Sequence, residues 1–564
     1  MDLQQRIDHA RSVGTTPFAE LHLPYTSLGD LLAQQVSAHA GREFLIFYDE
    51  EGMRTQYSYQ EFMRLVQRTA RFLEGRGIGR GDRIATVAHN HAETVIQYFA
   101  AWWIGATVVP INVGEDDDRI TYILGNSRTK LAFVRSEYVA RIESMRSAID
   151  TLQTIVTCGT GDNTPLGFST IIGSTGDDAG LPAPVTNLMN QECLIVYTSG
   201  TTGNPKGVLL AHGNLLADAH GISGWHAIGA DSRMMCVLPI HHVNGTVVTL
   251  VTPLYAGSSV VLNRKFQSQT FFARAAAEQV EIVSVVPTLL AFLVQADIST
   301  ETLDLQRFRH VICGAGPLTC ELAQRFEERY RIPIIHGYGL SETTCYSCFL
   351  PIGLGRDERL RWLTAYGFPS IGIPIPQNEM AIHDDHGRPV PHGERGEIVI
   401  RGHNVMLEYY ANTEANEQAF AFGWFRSGDE GFCMMDEHGR PFFFITGRLK
   451  ELIIRGGVNI SPLEIDEVIN MHPKVDAGIS VGFENSWYGE EIGAYVRRSD
   501  PTLTEEDLIA FCRGHLPFHK APKVVIFGDD IPVTSTGKYQ RNRVKGLFAE
   551  YREIQFQNAE KVGR

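Results

Sequence analysis

The run Tyr197-Thr198-Ser199-Gly200-Thr201-Thr202-Gly203-Asn204-Pro205-Lys206-Gly207-Val208 gathers the groups that could do chemistry. Thr198, Ser199, Thr201 and Thr202 bring hydroxyls and Lys206 an ammonium, while the glycines let backbone N–H groups converge. Converging N–H groups form a concavity that holds anions. The inventory suits a polyphosphate. It is not the usual P-loop, which needs Gly, four residues and then Gly-Lys-Ser/Thr; here Pro205 precedes Lys206 and Gly207 follows it. A Gly/Ser/Thr cluster also describes an ordinary surface loop. A solvated linker, however, has little reason to combine these donors between two apolar runs, Cys193–Val196 and Val208–Ala211, which predict a strand on each side.

Other runs offer chemistry that is weaker when each is taken alone. Gly314-Ala315-Gly316-Pro317-Leu318 follows the strand-like His310–Cys313, and small residues at a sheet's carboxyl edge let a flat ligand approach. Gly337-Tyr338-Gly339-Leu340-Ser341-Glu342 offers a ring that could lie on a base and a carboxylate suited to Mg²⁺. Its plainer reading is a turn tyrosine and a helix-start acid. Trp424–Asp429 ends in a carboxylate that could accept from both ribose hydroxyls, or serve an ordinary Gly-Asp turn. Pro532–Lys538 ends in a lysine that alone would read as a solvated charge. His241-His242 invites a metal reading, but no third ligand stands at suitable spacing.

In this order the runs resemble the motifs of the adenylate-forming superfamily: acyl-CoA synthetases, aryl-CoA ligases, adenylation domains and firefly-type luciferases. The resemblance spans roughly Tyr57 to Arg541. It implies that Thr198, Ser199, Gly200, Thr201, Thr202, Gly203 and Lys206 hold the β- and γ-phosphates of ATP. It assigns Gly314, Ala315, Gly316, Gly337, Tyr338, Gly339 and Ser341 to the nucleotide, with Thr201 and Glu342 to Mg²⁺. Asp429 and Arg448 become ribose contacts, Lys450 the hinge of a mobile terminal domain, and Gly456 and Gly457 the lining of the CoA pantetheine tunnel. Lys538 becomes the catalytic lysine that bridges carboxylate and α-phosphate, and His242 lies beside the acyl pocket among the catalytic residues with Lys206 and Glu342. The chain departs from the family's habits at Ser427 (for Thr), Arg455 (for Lys), His241 (for an aromatic), His336 (for Asn) and Glu408 (for Gly). The charged stretch Leu354–Gly367 has no assigned counterpart.

These runs need a scaffold. Ser58-Tyr59-Gln60-Glu61 reads as a capping box opening a helix to about Gly75. Strand Arg83–Ala88, helix His91–Trp103 and strand Ala106–Ile111 then form a βαβ unit. The grammar returns with strand Met234–Leu238, helix Gly245–Tyr255 and strand Ser258–Leu262, and strand–helix alternation continues to about residue 336. Such alternation predicts mostly parallel sheets sandwiched by helices. From about Ile371, short strands and tight turns predict a β-rich subdomain. After Gly447-Arg448 a compact α+β module follows. The expected architecture is therefore an α/β body over 1–447, made of two mostly parallel sheets plus a β-rich part at about 371–447, and a small mobile α+β domain over 448–564.

Bulk composition narrows the partners. At 564 residues the chain exceeds one ordinary core. A net charge of −15 disfavours nucleic acid and anionic membranes as partners. The longest apolar stretch, Tyr98–Ile111, is too short to span a bilayer, and Met1–Tyr25 has no signal-peptide core. The 9 cysteines are scattered. The one Cys-x-x-Cys pair, Cys345 and Cys348, lacks a redox or zinc context, which favours buried thiols in a reducing cytoplasm.

The expected function is an ATP-dependent carboxylate–CoA ligase. It would activate an acid as acyl-AMP with release of pyrophosphate, then transfer the acyl group to CoA. Its partners are a small-molecule acid, ATP, Mg²⁺ and CoA; a homodimer stays open. Rival readings are a ligase that loads a carrier-protein thiol, a luciferase-like oxygenase and a non-catalytic nucleotide sensor. His241 and His336 lean toward a small or polar acid.

Overall fold

The structure is a computed structural model and describes residues 1–159, 166–173, 178, 180–198, 204–533 and 539–556. Ser199, Gly200, Thr201, Thr202, Gly203 and Lys538 lie outside the described residues.

Two layers build the body. One is a seven-stranded sheet in which Thr107–Ile111, Arg83–Val87, Leu131–Arg135 and Thr154–Cys158 run parallel. Glu192–Thr198 joins them parallel to Thr107–Ile111 and turns back antiparallel into Lys206–Ala211. The expected pair of strands around the phosphate loop is this hairpin, with Thr198 opposite Lys206.

The other layer is a ladder whose parallel part runs through Ser259–Asn263, Arg233–Cys236, Ile282–Val285, His310–Cys313 and Ile334–Tyr338. The β-rich stretch pairs edge to edge with it. Cys348–Phe349 and Ser370–Pro374 continue the ladder antiparallel from Ile334–Tyr338, and Pro441–Arg448, Phe425–Met435, Gly396–Gly402 and Asn378–His383 extend it. Tyr338 and Asp429 can therefore approach each other although 91 positions separate them.

The helix Ala92–Trp103 lies between the two layers and is buried almost all round. Its sequence has no polar face, so it satisfies itself only where apolar surface covers every side. Trp102 and Trp103 are fully buried and place their indole N–H groups on the carbonyls of Cys193 and Pro182, both at 2.8 Å. The capping box at Ser58 forms as expected and opens the helix Tyr59–Gly75.

One element differs from expectation, and the stretch without an assigned counterpart takes a definite form. The segment expected as a helix over Gly245–Tyr255 is a π-helix over Asn244–Val251 before it becomes α-helical at Thr252–Tyr255. Pro253 supplies no N–H to the preceding turn, while Thr249 and Thr252 donate their hydroxyls to the carbonyls of Gly245 (2.7 Å) and Val247 (2.9 Å). The charged stretch 354–367 is a helix over Arg356–Thr364 that packs rather than projects. Arg359 is buried against Glu327 at 2.8 Å, and Trp362 stacks on Phe442 at 3.8 Å.

The terminal module has its own five-stranded sheet and its own core. Val475–Asn485 and Gly489–Arg498 form its long hairpin, Val524–Phe527 adds in parallel, and the helices Pro462–Asn470 and Glu505–His515 cover it. Among the described residues, no helix is long and apolar enough to cross a membrane.

Candidate active site

A cleft of about 210 Å³ opens where the body meets the terminal module. The body contributes Ala315, Gly316, Gly337, Tyr338, Gly339, Asp429 and Arg448, and the module contributes Asp466, Glu467, Tyr539 and Arg541.

Asp429 anchors the body's side. It is 4% exposed, and both its oxygens are engaged: Tyr338 donates its hydroxyl to Oδ2 at 2.6 Å, and the Arg448 Nε lies 2.8 Å from Oδ1. A carboxylate has room for further donors on each oxygen, so hydroxyls can join these partners. Ser427 orients it by donating to the Ile398 carbonyl at 2.6 Å while accepting the Asp429 N–H at 3.0 Å. The hydroxyl is what matters there, which is why Ser serves in place of Thr. Asp429 holds the Arg448 guanidinium above its usual range. Burial and the Asp429 charge raise the Tyr338 phenol well above its own, so the ring enters the cleft as a neutral donor.

The glycines around Tyr338 answer to close packing. A Cβ on Gly339 would lie 1.8 Å from the Cys345 carbonyl oxygen, and one on Gly337 2.3 Å from the Phe349 ring. A Cβ on Gly314 would meet the Tyr346 hydroxyl at 2.6 Å. Ala315 takes φ 62°, a left-handed turn that carries the chain from the strand end past the cleft.

Lys206 and Glu342 meet through a residue the motifs did not single out. The short strand Glu408–Tyr409 pairs with Lys206–Ala211 and so lies beside the hairpin that ends at Thr198 and Lys206. Tyr409 donates its hydroxyl to Glu342 Oε1 at 2.7 Å, and the Lys206 ammonium stands 4.8 Å from the centre of its ring. Met406 N–H donates to the Glu342 carbonyl at 2.8 Å. Upstream, Asn404 Nδ2 donates to Asp218 Oδ1 and to the Tyr346 carbonyl, both at 3.0 Å, and Thr344 donates to the Asn404 carbonyl at 2.6 Å. Thr344 needs that hold, since a β-branched residue at φ 63° is strained. Asp218 is fully buried, and burial pushes its carboxyl up to about 8.

Both histidines of the expectation are buried. His241 is buried, and its Nε2 has no partner among the described residues. Burial and neighbouring His242 hold it far below its usual range, so it stays neutral. The two rings lie 4.4 Å apart. His336 lines the cleft, and its Nδ1 lies 2.8 Å from the Ser370 carbonyl at the sheet join. The nearby polar groups are Asn244, which donates to the Tyr346 hydroxyl at 3.2 Å, and Ser284, which donates to Asn244 Oδ1 at 2.7 Å. Cys345 and Cys348 are both buried and outside any disulfide, as expected.

Gly456 and Gly457 stand exposed at the tip of the hairpin formed by Ile453–Arg455 and Val458–Ile460, with nothing within 4 Å of an added Cβ. In this orientation they are away from the cleft, and Tyr539, next to Lys538, edges it instead. Lys450 is exposed in the single turn Leu449–Glu451 between body and module. Ser341 opens the short turn Ser341–Thr343 that carries Glu342.

The sequence pattern described as AMP-binding enzyme matches residues 32–410. The chain belongs to the AMP-binding enzyme family. The pattern of that family's C-terminal domain matches residues 464–538. The chain is 34% identical over 469 residues to the sulfoacetate–CoA ligase of Cupriavidus necator, covering 82% of this chain and 87% of that one. It is 32% identical over 496 residues to the oxalate–CoA ligase of Arabidopsis thaliana, covering 86% and 92%. Among solved structures, ATP-bound MatB of Rhodopseudomonas palustris matches with a TM-score of 0.83 and 26% identity, over 94% of this chain and 100% of that one. This AMP-binding enzyme is an AMP-forming, ATP-dependent carboxylate–CoA ligase.

Proposed function

We propose that the enzyme activates a small, polar carboxylic acid and passes it to CoA. The observation that carries this reading is the cleft itself: Tyr338, Asp429 and Arg448 of the body and Tyr539 and Arg541 of the module line one space of about 210 Å³. The small, polar acid rests on the buried chain of Ser284, Asn244 and Tyr346 beside His242 and Gly245, and on the sulfoacetate and oxalate named for two relatives.

In the first step a carboxylate oxygen attacks the α-phosphate, and the bond to pyrophosphate breaks. In the second the CoA sulfur attacks the acyl carbon, and AMP leaves with the electron pair of the carbon–oxygen bond. Positioning and charge stabilisation do most of the work in phosphoryl chemistry. Asp429 and Arg448 hold the ribose, and Tyr338 lies against the base. Thr198, Lys206 and the loop between them hold the β- and γ-phosphates. Lys538 neutralises charge on the reacting oxygens, a role worth roughly 3–4 kcal/mol in comparable sites. Gly314, Ala315 and Gly316 keep the sheet edge open for the flat base.

Mg²⁺ is bound by one or two carboxylates together with phosphate oxygens and water. Glu342 fits that need, because Tyr409 orients one oxygen and, among the described residues, no hydrogen bond reaches the other. Glu342, with Thr201, would hold the ion, whose charge eases departure of pyrophosphate. For the second step the terminal domain, beginning near residue 448, turns about Lys450 and brings Gly456 and Gly457 to the cleft as the CoA lining. The enzyme acts in the cytoplasm without nucleic-acid or membrane partners.

The test is a panel of acids, from oxalate-sized diacids and sulfonated acids to aromatic and long-chain acids, assayed for AMP release with free CoA. Fastest turnover on short polar acids is expected. A preference for long-chain acids would overturn the substrate reading, and AMP release without acyl-CoA would overturn CoA as acceptor.

A further inference from the structure

We propose that Tyr409 is a positioning residue for the adenylation site, keeping the phosphate-binding lysine and the metal-binding carboxylate apart and correctly aimed. This rests on the roles given above to Lys206 and Glu342.

The two groups carry opposite charge and stand on segments brought together by the fold. Left alone, an ammonium and a carboxylate so placed would pair with each other, and each would then be hidden from the ligand it serves. The Tyr409 ring gives each a separate partner. Its hydroxyl donates to Glu342 Oε1 at 2.7 Å, which fixes the carboxylate plane and directs the other oxygen elsewhere. Its face receives the Lys206 ammonium at 4.8 Å, within the range of a cation–π attraction. That attraction is weak enough to yield to a phosphate. An outer partner that orients a metal-binding carboxylate commonly governs affinity for the ion.

The ring is held firmly enough for this task. Tyr409 is 7% exposed. Asn416 clamps its backbone from both sides, accepting its N–H at 2.7 Å and donating to its carbonyl at 3.0 Å. Tyr409 also pairs with Val208 in the strand that begins at Lys206, so ring and lysine share one ladder.

The test compares wild type with Tyr409→Phe, Tyr409→Leu and Glu342→Gln. Calorimetry measures binding of an ATP analogue with a methylene α,β bridge across a Mg²⁺ titration. Tyr409→Phe keeps the ring and loses the hydroxyl, so the Mg²⁺ concentration for half-maximal binding should rise about fivefold or more, with affinity at saturating Mg²⁺ within about twofold. Tyr409→Leu loses the ring as well, and affinity should fall about tenfold even at saturating Mg²⁺. Thermal unfolding of Tyr409→Phe near that of wild type shows that the effect is local. A wild-type Mg²⁺ response in Tyr409→Phe, beside a shifted one in Glu342→Gln, overturns the role of Tyr409 while leaving Glu342 as the ligand. A wild-type response in Glu342→Gln overturns the reading of Glu342 and this inference with it. Equal affinity of the Leu and Phe variants at saturating Mg²⁺ overturns the part played by the ring.

Discussion

The Glu467 carboxylate, on the first helix of the terminal module, accepts the backbone N–H of Cys320 at 2.9 Å, at the first turn of a helix of the body. The N–H of Glu321 reaches the same oxygen at 3.4 Å. The open N–H groups of one part are thus satisfied by the acid of another. With the Ser461 hydroxyl on the Thr446 carbonyl, this contact is one of the bonds that tie the module to the body.

Replacing Glu467 with Ala should release the module. Pyrophosphate exchange should fall about tenfold, while thioester formation from a supplied acyl-adenylate changes less than about threefold. The contact also carries a pH signature. Burial raises the Glu467 carboxyl from 4.5 to about 7, with the two N–H groups pulling the other way. A pKa raised on docking means that protonation favours docking. That contribution is full below about 4.5 and is lost as pH rises through about 7. Proteolysis at the exposed join near Lys450 should therefore quicken with pH across that window in wild type, and the change should be flattened in Glu467→Gln. Equal pH dependence in both would remove Glu467 as its source.

Lys538→Ala should reduce pyrophosphate exchange by about a hundredfold or more while ATP affinity changes less than about threefold. Exchange at the wild-type rate would mean that another group stabilises the reacting oxygens.

Proline at position 450 would lock φ within the turn Leu449–Glu451. Thioester formation should slow about tenfold or more while acyl-adenylate formation stays near wild type. Parallel loss of both half-reactions would place the pivot elsewhere.

Asp429→Asn should raise the KM for ATP about tenfold with a smaller change in kcat, because it removes uniform binding of the ribose and the partner of Arg448. Steady-state kinetics with ATP as the varied substrate decide it; an unchanged KM would separate Asp429 from the nucleotide.

Gly339→Ala should cost about 3 kcal/mol or more, since the new methyl meets backbone atoms that cannot turn aside. Gly353→Ala is the control, with nothing within 4 Å of its Cβ. Thermal unfolding of the two variants should differ clearly, and equal midpoints would show that the strand end yields.

Local pattern determined much of this protein. The two strands around the hydroxyl and glycine run before Lys206 were legible, because short apolar runs flank it on both sides. The parallel sheets followed from strand–helix alternation, and the Ser58 cap from four adjacent residues. Tertiary structure decided what depends on distant approach. Tyr409 looked like a neighbour of an odd Glu408 until its strand paired beside Lys206, and its hydroxyl reaches a carboxylate 67 positions away. His336 found its Ser370 partner only where the two parts of the sheet joined. Glu467 carried no motif at all, because a helix end that lacks partners is visible only once two parts of the chain have met. Sequence spacing records which groups are present within one element, whereas hydrogen bonds between elements depend on a register and docking that no single segment encodes.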